Sequence, residues 1–252
     1  MRRYLDLIFL RALAEIKSGT KQSHLGALWW FLDPLLYLSV FYVVFGVVLH
    51  RGGDGFVTYL IIGLVFWRWF ESSIHQCSSV LINYKGVIDQ VYLPKIILPF
   101  IPFFSNVIRF LIILSVLLIL LILFNTPSYS TWHWLPVLLL GQALMILSIG
   151  VLLSALLPFF PDLRSFIGYG LSLLFFMSAI FYRIDDLSEK KQFFFMFNPM
   201  VFYIESQRGV LIEGTKPALM FLFAYIVMSL IVLCIGLLLL HRYDRRYPKI
   251  MG

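Results

Sequence analysis

The sequence predicts an all-α membrane protein of six spanning helices, and three observations carry that prediction. Hydrophobic residues make up 61% of the 252-residue chain and charged residues only 13%, about half the roughly 25% usual in a soluble domain. From Phe110 through Pro161 there is no Lys, Arg, Asp or Glu, a run too long for one crossing of a bilayer and long enough for two. The basic residues give a net charge of +7 and a pI near 9.4. They gather at the ends of apolar runs, where they orient a membrane protein rather than bind nucleic acid. Mean hydropathy is +0.91. Cys77 and Cys234 show no Cys-x-x-Cys spacing, which argues against a disulfide framework or a metal site.

The elements follow in order. "MRRYLDLIFLRALAEIK" breaks its apolar positions with Asp6, Arg11 and Glu15, so it is not a cleavable leader. Leu5, Ile8, Phe9, Ala12, Leu13 and Ile16 fall at helical spacing and predict an amphipathic helix on the membrane surface or packed on the protein. Span one is expected over residues 34–49, with Asp33 as its cap, Pro34 as its first residue, and Trp29 and Trp30 at the interface. Span two, residues 56–74, carries Arg68 and Glu71 three apart, on one helix face, where they can pair.

A charged stretch, "INYKGVIDQVYLPK", separates span two from span three. Span three covers residues 96–124 and holds Arg109, whose insertion cost of about 3 kcal/mol is offset by apolar neighbours at about 0.5 kcal/mol each. A buried pair with Glu71 is its expected partner. "NTPSYSTWHW" breaks the uncharged run before span four, residues 135–157. Span five is expected over 165–182 and span six over 217–240. Between them Asn198-Pro199 starts a short helix that Gly214 can end, a second short helix is capped by Ser188, and the two form a re-entrant or interfacial hairpin.

Six spans place both termini on one side. Arg2, Arg3, Arg11, Lys17 and Lys21 precede the bundle and Arg242, Arg245, Arg246 and Lys249 follow it, so that side is cytoplasmic. The chain thus reads as one domain: residues 1–33 the interface helix, 34–240 the bundle, 241–252 a basic tail.

Chemistry is nearly absent. There is no G-x-x-x-x-G-K-[ST] phosphate loop, no paired His, and no G-x-S-x-G elbow. Asp185, Asp186 and Glu189 form an acidic cluster that an enzyme acting on lipid-linked sugars could use, although helix capping and solvation explain it more simply. A conduit without an engine needs its energy from a partner, and a short helix tied between two spans is a natural place to receive a push.

Four stretches carry a family resemblance: "HLGALWWFLDPLLYLSVFYVVFGVVL", "GLVFWRWFESSI", "YKGVIDQVYLPKIILPF" and "FPDLRSFIGYGLSLLFFMSAIFYRIDDL" with "FNPMVFYIESQRGVLIEG". Together they resemble the permease subunit of type-2 ABC exporters, in particular the branch that exports O-antigen, capsule and teichoic acid. The resemblance covers nearly the whole chain. It implies a homodimer in the bacterial inner membrane, docked on a separate ATPase that binds ATP and Mg, with no cofactor in this chain. It makes residues 84–92 the coupling helix, with Tyr84, Lys85, Val87, Ile88, Asp89, Gln90 and Tyr92 at the ATPase contact. Residues 4–17 also meet the ATPase, and residues 187–214 become the outer gate, with Phe193, Phe197, Asn198, Pro199 and Tyr203. Asp89-Gln90 stands where many members have two Lys, and few members carry a basic residue like Arg109.

A moving glycan needs broad, weak contacts, which aromatic faces and Tyr hydroxyls supply. Tyr37, Phe41, Tyr169, Phe176, Phe181 and Tyr182 are the candidates for the passage, against the alternative that they serve helix packing and lipid contact. Exported glycans in this branch are lipid-linked, so a diphosphate must be met at the cytoplasmic edge. Arg2, Arg3, Arg11, Lys17 and Lys21 are the basic candidates there. The rival function is a permease of the same family for a drug, lipid or other small molecule.

Overall fold

The structure is a computed structural model of the chain, describing residues 2–21, 26–48, 55–90, 93–123, 129–184, 188, 195 and 197–251. Among the described residues every regular element is a helix. Helix α1 is Arg2–Lys21 and packs along α5, Phe100–Leu123. Its buried edge is narrower than the expected apolar face. Ile8 and Ala12, one turn apart, are buried, while Phe9 is 56% and Leu10 65% exposed. Two apolar side chains left open beside a membrane bundle suit lipid rather than water.

A short 3-10 turn, Gly26–Leu28, leads into α2, Trp29–Phe41, which continues as a π-helical stretch, Tyr42–Val48. The helix starts ahead of the expected cap, so Asp33 and Pro34 lie inside it. At the sixth position of the helix Pro34 has no N–H to give the Trp30 carbonyl, a loss that the apolar packing of the helix must offset.

Helix α3, Phe56–Asn83, has 28 residues and is about 42 Å long. It runs past residue 74, where span two was expected to end. Ile74, Cys77, Ser78 and Leu81 are all buried, and this i, i+3, i+4, i+7 stripe keeps the helix docked through the polar His75 and Gln76. Helix α4, Lys85–Ile88, follows directly. The expected helix over 84–92 is therefore one turn, with Tyr92 outside the described residues.

Helix α6 is Leu135–Leu156, entered through a 3-10 stretch, Tyr129–Trp134, and α7 is Leu163–Met177. Span five was expected to reach Tyr182. It stops sooner because Ala179 turns the chain with φ 52°. Helix α8 is Pro199–Arg208, followed by a π-helical Gly209–Glu213 that ends on Gly214 at φ 73°, a left-handed cap that favours glycine. Helices α9, Leu219–Tyr243, and α10, Tyr247–Met251, complete the chain.

Among the described residues three helical stretches are long and apolar enough to cross a membrane: Lys95–Leu123, Tyr129–Leu156 and Leu219–Tyr243. Leu35–Val44 and Leu163–Met177 are shorter apolar helices. Helix α3 is the hub, packing against α5, α6, α7, α8 and α2, while α6 and α9 share the most extensive contact. Small residues allow the close approaches. A Cβ at Gly236 would lie 2.9 Å from the Leu152 backbone nitrogen, and one at Gly150 would lie 2.7 Å from the Cys77 Cβ. Outward-facing Leu140, Met220, Phe223 and Leu238 are exposed, as expected of a bundle whose solvent is lipid.

Candidate functional site

Three polar or aromatic centres stand out from this apolar bundle. The first is the rim at the α1 end. Tyr84 closes α3, its N–H donating to the Val80 carbonyl at 3.0 Å, and its own carbonyl accepts from Val87 and Ile88 at 3.0 and 2.9 Å. Ile88 is buried as the anchor of the turn, which leaves Val87, Asp89 and Gln90 exposed and Lys85 half-buried. The Tyr84 hydroxyl donates to Glu15 Oε1 at 2.9 Å, tying α1 to the turn. Burial pushes the Tyr84 pKa above its ordinary value, and the Glu15 carboxylate pushes the same way. The hydroxyl therefore stays a neutral donor.

The tail joins this rim, which the sequence did not suggest. Asp244 accepts from the Lys95 backbone N–H at 2.9 Å and lies 3.9 Å from Lys95 Nζ. Tyr247, fully buried, donates to the Ala155 carbonyl at 3.1 Å, and α10 touches α4. Arg11 and Lys17, two of the headgroup candidates, are exposed on α1; Arg2, Arg3 and Lys21 belong to the same helix.

The second centre is an aromatic cluster between α2, α7 and the Ala179 corner. The Tyr37 and Phe41 rings stack at 6.2 Å, and Phe41 lies 4.3 Å from Phe181 and 5.7 Å from Phe175. Phe176 lies 6.0 Å from Phe181, and the Tyr182 hydroxyl donates to the Phe176 carbonyl at 3.4 Å. Five of the six passage candidates thus form one group, to which Phe175 belongs although the sequence did not single it out. Phe181 is buried within it. Tyr169, two turns back along α7, stands apart and is 77% exposed.

The third centre is the start of α8. Asn198 caps the helix as expected, Oδ1 accepting from the Met200 N–H at 3.0 Å, with Pro199 as the first helical residue. Asn198 Nδ2 also donates to Ser178 Oγ at 3.1 Å, lacing α8 to the end of α7. Phe197 is 70% exposed, whereas Tyr203 is fully buried in the main core beside Phe202 and Tyr225. Tyr203 packs α8 into the main core. Phe193, Asp185, Asp186 and Glu189 lie outside the described residues, as does most of the helix expected after Ser188.

At the other end of α8, Arg208 is completely buried. Its guanidinium donates through Nε to the Tyr59 carbonyl at 3.1 Å, through Nη1 to Ala179 O and Glu205 Oε1, both at 2.7 Å, and through Nη2 to Ile180 O at 3.0 Å. It also lies 3.4 Å from the Tyr59 ring centroid. The Tyr59 hydroxyl reaches Glu205 Oε1 at 2.8 Å and the Tyr182 carbonyl at 3.0 Å. A Cβ at Gly63 would collide with this guanidinium. The sequence reading missed all of these partners. The one available hint was the i, i+3 spacing of Glu205 and Arg208, which by itself describes any surface pair.

Arg68 and Glu71 pair as expected, at 2.9 Å. Arg109 lines a cavity of about 450 Å³ between α2, α3 and α5, with Arg68, Trp69, Gln76 and Asn106.

A helical bundle with large apolar side chains exposed over its outer surface, and with helical stretches long and apolar enough to cross a bilayer, defines a multi-pass membrane protein. The chain belongs to the ABC-2 type transporter family, whose model matches residues 8–212. Among its relatives is the O-antigen export system permease protein RfbA of Klebsiella pneumoniae, 28% identical over 248 residues, or 98% of this chain and 95% of that protein. The Myxococcus xanthus protein of the same name is 27% identical over 92% of this chain and 90% of its own length. The polysialic acid transport protein KpsM of Escherichia coli is 24% identical over 93% and 91%.

Proposed function

We propose that this chain is the membrane permease of an ATP-driven polysaccharide exporter, with lipid-linked O-antigen as its cargo. The observation that carries the reading is that similarity to O-antigen export permeases runs through 98% of the chain, so both the rim and the gate hairpin fall within it. In this reading the chain crosses the bacterial inner membrane six times with both termini in the cytoplasm. Two copies pair around a passage, and ATP and Mg are bound by a separate ATPase chain. The α4 turn, with Lys85, Val87, Asp89 and Gln90 facing outward, receives that ATPase, and α1 flanks it through Glu15 and Tyr84.

The aromatic cluster supports the cargo. Tyr37, Phe41, Phe176 and Phe181 bring flat apolar faces from two segments of the chain to one place, with Tyr hydroxyls at its margin. Such faces bind sugar rings weakly and repeatedly, which lets a polymer slide. Phosphates of the carrier lipid meet Arg11 and Lys17 at the interface helix.

Deletion of the gene tests this. Lipid-linked glycan should accumulate inside the cells and disappear from their surface, and affinity-tagged protein should bring down an ATP-binding subunit. Unchanged surface glycan in the deletion strain rejects the cargo, and export driven by a single copy rejects the paired passage.

A further inference from the structure

We infer that Arg208 is a positioning residue that fastens the outer gate to α3, so that a push received at α4 arrives at the gate through one rigid body. The inference rests on the exporter reading above. Helix α3 is unbroken from Phe56 to Asn83 and passes through Tyr84 straight into the α4 turn. Its hairpin end carries Tyr59 and Gly63, one turn apart on one face, and both meet Arg208. The guanidinium bonds at once to α3 (Tyr59), to the corner after α7 (Ala179, Ile180) and to its own helix α8 (Glu205). Asn198 closes the other side by bonding Ser178 from the start of α8.

Three features say that this knot holds a shape rather than merely fills space. Ala179, a non-glycine residue, sits at φ 52°, a conformation that persists only when its surroundings enforce it. Two bonds of Arg208 land on Ala179 and its neighbour. A fully buried arginine is also a costly way to stabilise a core, since apolar residues of similar volume commonly do as well, whereas a directional ionic cluster fixes register. Finally, Gly63 leaves vacant the space that the guanidinium occupies. The corner and α8 are thereby one block, bolted to the far end of the helix that carries the coupling turn.

The test uses the complete transporter with its ATPase in lipid nanodiscs. Spin labels are placed either at Phe197 on the gate or at Asn83 beside α4, both exposed, in a Cys234→Ser background with buried Cys77 left in place. Distances between the two copies are read without nucleotide and with vanadate-trapped ADP. In the parent protein both labels should shift. In Arg208→Gln the Asn83 shift should remain, the Phe197 shift should vanish, and glycan export should fall about ten-fold while glycan-free ATP hydrolysis is unchanged. Arg208→Lys should recover part of the Phe197 shift. Tyr59→Phe keeps the ring under the guanidinium and removes only the hydroxyl link, so it should give a milder form of the same split. An undiminished Phe197 shift in Arg208→Gln overturns the inference. A parent protein in which only Asn83 moves overturns it too, while leaving the exporter reading intact. If neither label responds to nucleotide, the exporter reading falls and the inference with it.

Discussion

Gly63→Ala probes the Arg208 knot with a single methyl group, and its sign decides the matter. Gly63 lies inside α3, where replacing Gly with Ala ordinarily stabilises a helix by about 1 kcal/mol. Here the new Cβ would strike Nη2 of Arg208, the donor to the Ile180 carbonyl at 3.0 Å. Losing a charge-assisted bond to a buried carbonyl costs about 1.5–3 kcal/mol, and overpacking adds about 1–3 kcal/mol. With the helix gain subtracted, a net loss of about 3 kcal/mol is expected. In an Arg208→Met background the obstacle is gone, and the same change should again stabilise by about 1 kcal/mol. The interaction energy between the two sites is then about 4 kcal/mol, far above the few tenths expected of independent positions. Reversible unfolding in mixed micelles, with the four variants compared as a cycle, measures it. Stabilisation by Gly63→Ala in the parent, or equal costs in both backgrounds, would show that the contact does not carry this energy.

Other outcomes follow from the remaining centres. Asn198→Ala removes the α8 cap and the link to Ser178, and should cost about 1–2 kcal/mol; hydrogen exchange at residues 200–204 should rise while that of α9 does not. Tyr84→Phe should loosen α1 from the α4 turn, read as faster proteolysis within α1. Burial and Glu15 raise the Tyr84 pKa in the fold above its ordinary value of 10.0. The stability this contributes is thus complete below pH 10 and is lost only as pH climbs beyond it towards the folded-state pKa. Between pH 6 and 9 the Tyr84→Phe difference should therefore be flat, and a slope in that window would contradict the neutral-donor assignment. Charge reversal at Lys85 or Asp89 should lower transport-coupled ATP hydrolysis without changing membrane insertion, and unaltered coupling in both variants would exclude the α4 turn as the ATPase contact.

What could be read from the sequence depended on whether the cause was local. Helices α6 and α9 were legible nearly to the residue because composition alone decides them. Each is built on an uncharged apolar run, residues 135–156 in α6 and 219–240 in α9, bounded by turn formers or by charge. The Asn198 cap and the Gly214 stop were equally visible, since cap chemistry is local. The end of α3 was obscured by His75 and Gln76, which lower the average hydropathy although Ile74, Cys77, Ser78 and Leu81 keep a buried stripe going. The end of α7 could not be seen at all. Residues 178–182 are as apolar as the turn before them, and the corner at Ala179 is held by Arg208 from beyond the hairpin. Tyr59 and Arg208 are 149 residues apart in sequence, and no spacing rule reaches that far. The aromatic pair Tyr37 and Phe41 was found by its four-residue period, while Phe175 was missed because its partners lie on another helix. The burial of Tyr203 could not be read either, because its neighbour Tyr225 lies on another helix.

The placing of the polar contacts has a physical cause. In lipid, apolar side chains gain little by leaving their solvent, so helices are held together by close packing and by interhelical polar bonds. Inside the bundle close packing joins Gly150 to Cys77 and Gly236 to Leu152, and polar bonds join Gln207 to Gln142 and Asn106 to Gln76. Other directional bonds between segments lie at the rim, among Glu15, Tyr84, Lys95, Asp244 and Tyr247, and around α8, among Tyr59, Asn198, Glu205 and Arg208. In the inference drawn above, force applied to the rim is carried along α3, which is unbroken from Phe56 to Asn83. An exporter driven by a separate ATPase requires that behaviour, because its work enters at one face of the membrane and is spent at the other.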